Sequence, residues 1–106
     1  MIVYVAGPYT TPDVAINMKN AMDAAAQLIE IGYTVVVPHL SHFLHMNNPQ
    51  PYETWMRMDL EILEKCDAVL RIFGESPGAD RETARAYELG IPVYRSIEEL
   101  INTEPI

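Results

Sequence analysis

The stretch AVLRIFGESPGADRE, residues 68–82, joins an apolar strand to a helix through a glycine-rich turn. We predict the strand over residues 68–73 and the helix from about Gly78 to Leu89, with Ser76 as its cap and Pro77 preset for its first turn. Unpaired backbone N–H groups and the positive end of the helix dipole meet at such a turn. The pattern therefore predicts that a phosphate or a carboxylate of a ligand binds here.

Glu82 lies four residues after Gly78, so both residues share one face of the predicted helix. A carboxylate beside an anion site is an unusual choice for binding alone and suggests a chemical role. The alternative is a structural Glu82, which complements the helix dipole or pairs with Arg81 or Arg85 on the surface. A glycine-rich turn is a weak motif, so spacing leaves both interpretations open.

The sequence on either side repeats the alternation of strand and helix. Strands are predicted at 2–6, 33–37 and 91–94, and helices at about 12–31, 52–65 and 96–102. Residues 33–37 show almost no polar alternation, which is typical of a parallel strand covered on both faces. We therefore predict an α/β fold: a small Rossmann-like (flavodoxin-like) open parallel sheet of about four to five strands, order 2-1-3-4, with helices on both faces.

Capping residues, prolines and glycines indicate where these strands and helices are expected to begin and end. Thr11 is the predicted cap of the first helix, Pro12 its first residue and Gly32 its end. Pro92 predicts that the fourth strand lies at an edge of the sheet, because proline cannot donate to a central ladder. Asp67, which opens the third strand at the opposite end from the ligand turn, is expected to be structural.

Composition narrows the class of protein. The 106 residues predict one domain, 1–106, and 49% hydrophobic with 21% charged residues is ordinary for a globular protein. A net charge of −8 argues against binding to long nucleic acids or anionic membranes. There is no basic leader and no apolar stretch of membrane-spanning length, so we expect a cytoplasmic protein. The lone Cys66 forms no internal disulfide and is expected to serve packing.

Residues 38–51 are predicted to be irregular and to lie over the carboxyl edge of the sheet. They contain His39, His42 and His45, whose spacing raises the alternative of a zinc site. No cysteine is nearby and no acidic residue stands at a recognisable ligand spacing, so we predict no metal and no other cofactor. His39 directly follows the second strand and is the histidine expected to face a ligand.

Asp59 interrupts the apolar face of the helix predicted over 52–65. Burial of an unpaired carboxylate is costly, so Asp59 is either bonded to backbone or an arginine, or it belongs to a site. Ligands of open parallel sheets bind where strand order reverses, outside the carboxyl ends of the strands. We therefore expect Tyr4, Gly7, Asp59, Ser76 and Glu82 around one crevice. Two carboxylates there suit glycosidic chemistry.

Four segments together resemble the nucleoside 2-deoxyribosyltransferase family, including its small nucleotide N-glycosidase relatives: VYVAG (3–7), WMRMDL (55–60), CDAV (66–69) and SPGADRE (76–82). The likeness spans almost the whole chain. It implies that Glu82 is the nucleophile that carries the glycosyl intermediate, that Asp59 contacts the sugar or the leaving base, and that Tyr4 positions the nucleophile. The expected substrate-binding residues are Gly7, Pro8, Tyr9, His39, Ser76, Gly78 and Ala79.

Departures from the family pattern bear on substrate choice. The nucleotide-specific relatives often carry an arginine after the first strand, where this chain has Pro8 and Tyr9, so Arg81 is the candidate to replace it. Glu88 stands in a similar local sequence, but its spacing from Ser76 favours Glu82. We expect the helix N-terminus to favour ionised Glu82, and the apolar surroundings of Asp59 to raise its pKa.

The predicted function is cleavage of the N-glycosidic bond of a nucleoside, with ribose or deoxyribose, or of its 5′-monophosphate. The acceptor of the sugar is water or another base. The alternative is a non-catalytic Rossmann-like nucleotide-binding or sensor module, which has no need of Asp59 and Glu82 together. A small domain with one long apolar helix and a helix that contains Trp55 is also expected to form a homodimer or a larger homo-oligomer, as its relatives do.

Overall fold

The structure is a computed structural model that describes residues 1–105. Strands and helices alternate along the chain as the apolar patterns predict. In order they are β1 (Ile2–Ala6), α1 (Val14–Ile31), β2 (Thr34–Val36), a 3-10 turn (Pro38–Leu40), α2 (Ser41–Asn47), α3 (Tyr52–Leu63), β3 (Ala68–Arg71), α4 (Pro77–Leu89), β4 (Val93–Tyr94) and α5 (Ile97–Thr103).

The four strands form one parallel sheet in the order β2-β1-β3-β4. Alternate residues of β1 point to opposite faces, so Val3 packs with α1 and α5 while Tyr4 packs with α3 and α4. Helices therefore cover both faces, and β4 is an edge strand as Pro92 predicts. The predicted flavodoxin-like fold is confirmed, and its switch point lies between β1 and β3.

Several boundaries differ from the sequence-based predictions. Helix α1 begins at Val14, and its cap is Asp13, whose Oδ1 accepts a hydrogen bond of 3.1 Å from the N–H of Ile16. The expected cap Thr11 and first residue Pro12 are wrong, because Asp caps a helix as well as Thr and proximity to proline does not distinguish them. Strands β2, β3 and β4 are each shorter than predicted.

Residues 38–51 are not irregular, since they contain the 3-10 turn and α2. Helix α2 was not predicted from the sequence. None of its residues is buried, so its sequence lacks the apolar stripe that would show a helical period. Phe43 and Leu44 are each 58% exposed.

Other local signals agree with the structure. Ser76 caps α4, and Gly32 and Gly90 end α1 and α4 with left-handed φ values of 117° and 73°. Asp67 is structural, because its carboxylate accepts a 2.7 Å hydrogen bond from the N–H of Ile2. Within residues 1–105, none of the helices is both long and apolar enough to cross a bilayer.

Candidate active site

A cavity of about 750 Å³ opens at the carboxyl ends of β1 and β3. Its walls come from the loop after β1, the segment from Pro38 to Gln50, one side of α3, and the turn that leads into α4. These segments meet because the sheet is parallel and all of its strands end at the same edge. The cavity is large enough for a small organic ligand.

Glu82 lies in this cavity, although it is only 5% exposed. Its carboxylate accepts a short hydrogen bond from the hydroxyl of Tyr4, a fully buried residue of β1. The surface alternative for Glu82 is wrong, since Arg81 pairs with Glu53 at 2.7 Å and Arg85 with Glu64, also at 2.7 Å. The helix thus turns Glu82 toward the sheet and its arginines toward α3.

The pKa of Glu82 is raised to about 7, chiefly by burial. The hydrogen bond from Tyr4 and the charge of Arg71 oppose this rise in pKa, while the negative charge of Asp59 adds to it. The expectation that the helix N-terminus favours the ionised form is therefore wrong. Glu82 is the sixth residue of α4, beyond the first turn in which the dipole acts, so the loss of water outweighs it.

Tyr4 remains a hydrogen-bond donor at any physiological pH. Burial and the neighbouring carboxylate of Glu82 raise the pKa of its hydroxyl well above the ordinary value. The hydroxyl can therefore orient one oxygen of Glu82 and stabilise its anion, but it does not exchange a proton with it. Tyr4 itself does not line the cavity, and its hydroxyl reaches the site only through Glu82.

Asp59 projects from α3 into the same cavity and is half-buried. Burial raises the pKa of its carboxyl to about 6, as the sequence analysis expects. Among residues 1–105 it has no hydrogen-bond partner to explain it as a structural residue, whether backbone or arginine. The site therefore contains two carboxyl groups, both of which hold protons more tightly than ordinary acids.

The three histidines line the cavity, but they are engaged separately. His39 is buried, and its Nε2 bonds to the carbonyl of Pro8 at 3.0 Å. Burial lowers the pKa of His39, so the ring is neutral, Nε2 donates, and Nδ1 is left as a buried acceptor without a protein partner.

The other two histidines bond to aromatic side chains. His42 pairs with the hydroxyl of Tyr9, and Nδ1 of His45 accepts a 2.9 Å hydrogen bond from Nε1 of Trp55. In the part of the chain that the structure describes, no group of three or more His, Cys, Asp or Glu side chains is placed to hold a metal ion.

The turn into α4 is shaped by close packing. A Cβ on Gly78 would lie 3.0 Å from the hydroxyl of Tyr52 and 3.2 Å from Met56, so glycine permits the close approach of α3 and α4. Ser76, Gly78 and Ala79 line the cavity, and the hydroxyl of Ser76 accepts a 3.1 Å bond from the N–H of Ala79.

The loop after β1 contributes Gly7 and Tyr9 to the lining. A Cβ on Gly7 would come within 3.0 Å of the Cβ of Ile72, which explains the small residue there. Pro8 does not line the cavity, contrary to its predicted substrate contact. Its ring packs against Gly74, and its carbonyl holds His39.

Arg71 does not line the cavity but acts on Glu82 from behind the turn, and it was not predicted from the sequence. It ends β3, is buried, and donates to the carbonyls of Ile72 and Gly74 and to Asp80 at 3.2 Å. These bonds close the turn between β3 and α4, and the positive charge offsets a small part of the rise in the pKa of Glu82. The sequence feature that could have predicted its role is an arginine at the end of an otherwise apolar strand.

Comparisons with known proteins agree with this architecture. A sequence profile of the family described as "Domain of unknown function (DUF7768)" matches residues 1–96. No curated protein matches the chain. Among solved structures, one match is a 2-deoxyribosyltransferase from the psychrotolerant bacterium Bacillus psychrosaccharolyticus. It is 22% identical, with a TM-score of 0.65 over 92% of this chain and 76% of that chain. At this identity the likeness concerns the fold alone.

Proposed function

The chain belongs to the DUF7768 family, whose description names no activity, and we propose that it is an enzyme that cleaves the N-glycosidic bond of a nucleoside or its 5′-monophosphate. The observation that carries this proposal is the buried Glu82 carboxylate, held by the Tyr4 hydroxyl in a cavity that also contains Asp59. The fold shared with a 2-deoxyribosyltransferase supports it.

The reaction proceeds in two displacements. An oxygen of ionised Glu82 attacks the anomeric carbon, and the bond from that carbon to the base breaks, with its electron pair leaving on the base. Protonated Asp59 gives its proton to the departing base. Water or a second base then attacks the anomeric carbon, the ester bond breaks, and Glu82 regains its charge while Asp59 takes up the proton of the incoming group.

The other groups of the cavity bind and orient the substrate. In this proposal Ser76, Gly78 and Ala79 bind the 5′ end of the sugar, and Tyr9, His39 and Trp55 bind the base; that all of them line the cavity supports these roles. The reaction uses no cofactor, because ionised Glu82 and protonated Asp59 supply the nucleophile and the acid.

A non-catalytic binding module would share this fold and this cavity. The two carboxyl groups weigh against it, because the raised pKa of Glu82 means that its ionised form destabilises the folded state. The shift from an ordinary 4.5 to about 7 corresponds to about 3 kcal/mol, absent below pH 4.5 and fully present above pH 7. A protein that only binds a ligand gains nothing from a carboxylate that destabilises its folded state.

The direct test is a search for the intermediate. The protein is incubated with a panel of nucleosides and 5′-monophosphates, free base is measured, and samples quenched during turnover are digested for mass spectrometry. A pentosyl adduct on the peptide that contains Glu82 is expected. An adduct on a different residue, or no base released from any member of the panel, would favour the binding module.

Activity is expected to follow a bell-shaped pH dependence. The productive state has Glu82 ionised and Asp59 protonated, and because the pKa of Glu82 (about 7) lies above that of Asp59 (about 6), it is the minority form of the singly protonated pair, roughly one tenth of it. The singly protonated pair predominates between these two pKa values, so kcat/KM should peak there and fall on either side. Tyr4→Phe removes a bond to the Glu82 anion, so it should lower the maximum by about tenfold and move the alkaline limb upward. A flat dependence from pH 4.5 to 9 would contradict this assignment.

We also propose that the protein is a homodimer or a larger homo-oligomer. Exposed apolar side chains occur on α2, where Phe43 and Leu44 are 58% and Met46 is 66% exposed, and on α1, where Ile29 is 58% exposed. Light scattering at micromolar concentration is expected to give a multiple of the 12.0 kDa chain mass. A mass of one chain would refute the proposal.

A further inference from the structure

We propose that the ion pair between Glu53 and Arg81 makes the cavity select a substrate without a 5′-phosphate, so that a nucleoside is preferred to its 5′-monophosphate. This inference rests on the proposed function, since it concerns the substrate of the same cavity. It assigns a specificity role to Glu53, a residue outside the cavity wall.

Arg81 is the only lysine or arginine that lines the cavity, as far as residues 1–105 extend. Its guanidinium makes two bonds to Glu53, Nη1 to Oε1 at 2.7 Å and Nη2 to Oε2 at 3.2 Å. It also lies 5.9 Å from the centre of the Tyr52 ring. The fork of Arg81 is thus matched to a carboxylate of the protein, so a ligand phosphate would have to compete with Glu53 for it.

The N-terminus of α4 offers few free hydrogen-bond donors to a phosphate. Pro77 has no N–H group, and the N–H of Ala79 is already bonded to the hydroxyl of Ser76 at 3.1 Å. The N–H of Gly78 remains, and the hydroxyl of Tyr52 packs against this glycine, 3.0 Å from where a Cβ would stand. One N–H, one phenol and the hydroxyl of Ser76 are neutral donors that suit a neutral 5′-hydroxyl, whereas a phosphate dianion needs more donors or a free cation.

The remaining charges of the wall are negative. Asp59, Glu75 and Glu82 line the cavity, and Arg81 is paired with Glu53, although these two side chains are 44% and 70% exposed. A 5′-phosphate would have to displace Glu53 from Arg81, leaving that carboxylate unpaired, and would also face Glu75 beside the turn. We expect a 5′-monophosphate to bind at least about tenfold more weakly than its nucleoside.

The test compares binding in a protein that cannot turn over. Four 2′-deoxynucleosides and their 5′-monophosphates are titrated by calorimetry into the Glu82→Gln protein, with and without Glu53→Gln. Removing the Glu53 charge frees Arg81, so monophosphate affinity should rise at least about tenfold while nucleoside affinity changes by less than about threefold. Glu64→Gln is the matched control, because it breaks the pair with Arg85 between the same two helices, away from the cavity.

Tighter binding of the monophosphates when Glu53 is intact would overturn the inference, and so would a nucleoside-to-monophosphate ratio that Glu53→Gln leaves unchanged. An equal change in the Glu64→Gln protein would also overturn it. Base release by the wild-type protein tests the proposed reaction separately. Selective nucleoside binding without base release would support the role of Glu53 and refute the chemistry.

Discussion

Glu82→Gln is expected to lower the rate of base release by at least about a thousandfold while nucleoside binding persists or becomes tighter. Glutamine keeps the shape of the side chain, and its carbonyl can still accept the bond from the Tyr4 hydroxyl. It cannot form the glycosyl ester, so the first displacement is lost. Single-turnover base release and calorimetric titration measure the two quantities separately.

Glu88→Gln provides the control for this prediction. Glu88 lies on the same helix, is exposed, and pairs with Arg85 at 3.1 Å, so its replacement should leave base release within about threefold of wild type. The Glu82→Gln protein should also unfold at the same or a higher temperature above pH 7, because a buried carboxylate has been removed. Full activity in Glu82→Gln, or loss of activity only in Glu88→Gln, would end the assignment of Glu82.

Asp59→Asn is expected to reduce base release by about a hundredfold for ordinary purine nucleosides and by much less for their N7-methylated forms. An ordinary base departs as an anion unless it is protonated, whereas an N7-methylated purine already carries a positive charge and leaves as a neutral molecule. In the proposed reaction the half-buried carboxyl of Asp59, whose pKa is about 6, supplies that proton. The measurement is the ratio of kcat/KM for each pair of substrates.

Asp23→Asn is the matched control for this ratio. Asp23 is an exposed residue of α1 that pairs with Lys19, so neither substrate should respond to its loss. An equal reduction for both members of a substrate pair in Asp59→Asn would indicate that Asp59 binds the sugar and does not act as an acid. Unchanged activity toward both would remove Asp59 from the mechanism.

Only part of the candidate site was predictable from the sequence. The spacing of Ser76, Gly78 and Glu82 placed a carboxylate beside a capped helix, and the apolar face around Asp59 marked a second one. Arg71 and the partner of Arg81 were missed, because their contacts join residues that no short-range pattern relates. Glu53 and Arg81 are 28 positions apart, and they meet only because α3 and α4 pack side by side.

The parallel sheet and the ends of most helices could be predicted from local sequence patterns. A strand is recognised by its run of apolar residues, and a helix end by a cap such as Ser76 or Gly90. Both signals depend on residues that are close together in the chain, so the sequence is enough to detect them. Tertiary structure decided the chemistry of Glu82. Tyr4 and Glu82 are 78 positions apart, and their contact depends on where α4 docks on β1. Burial at that contact raises the pKa of Glu82 to about 7, because the pKa of a carboxyl depends on the water and charges that surround it after folding.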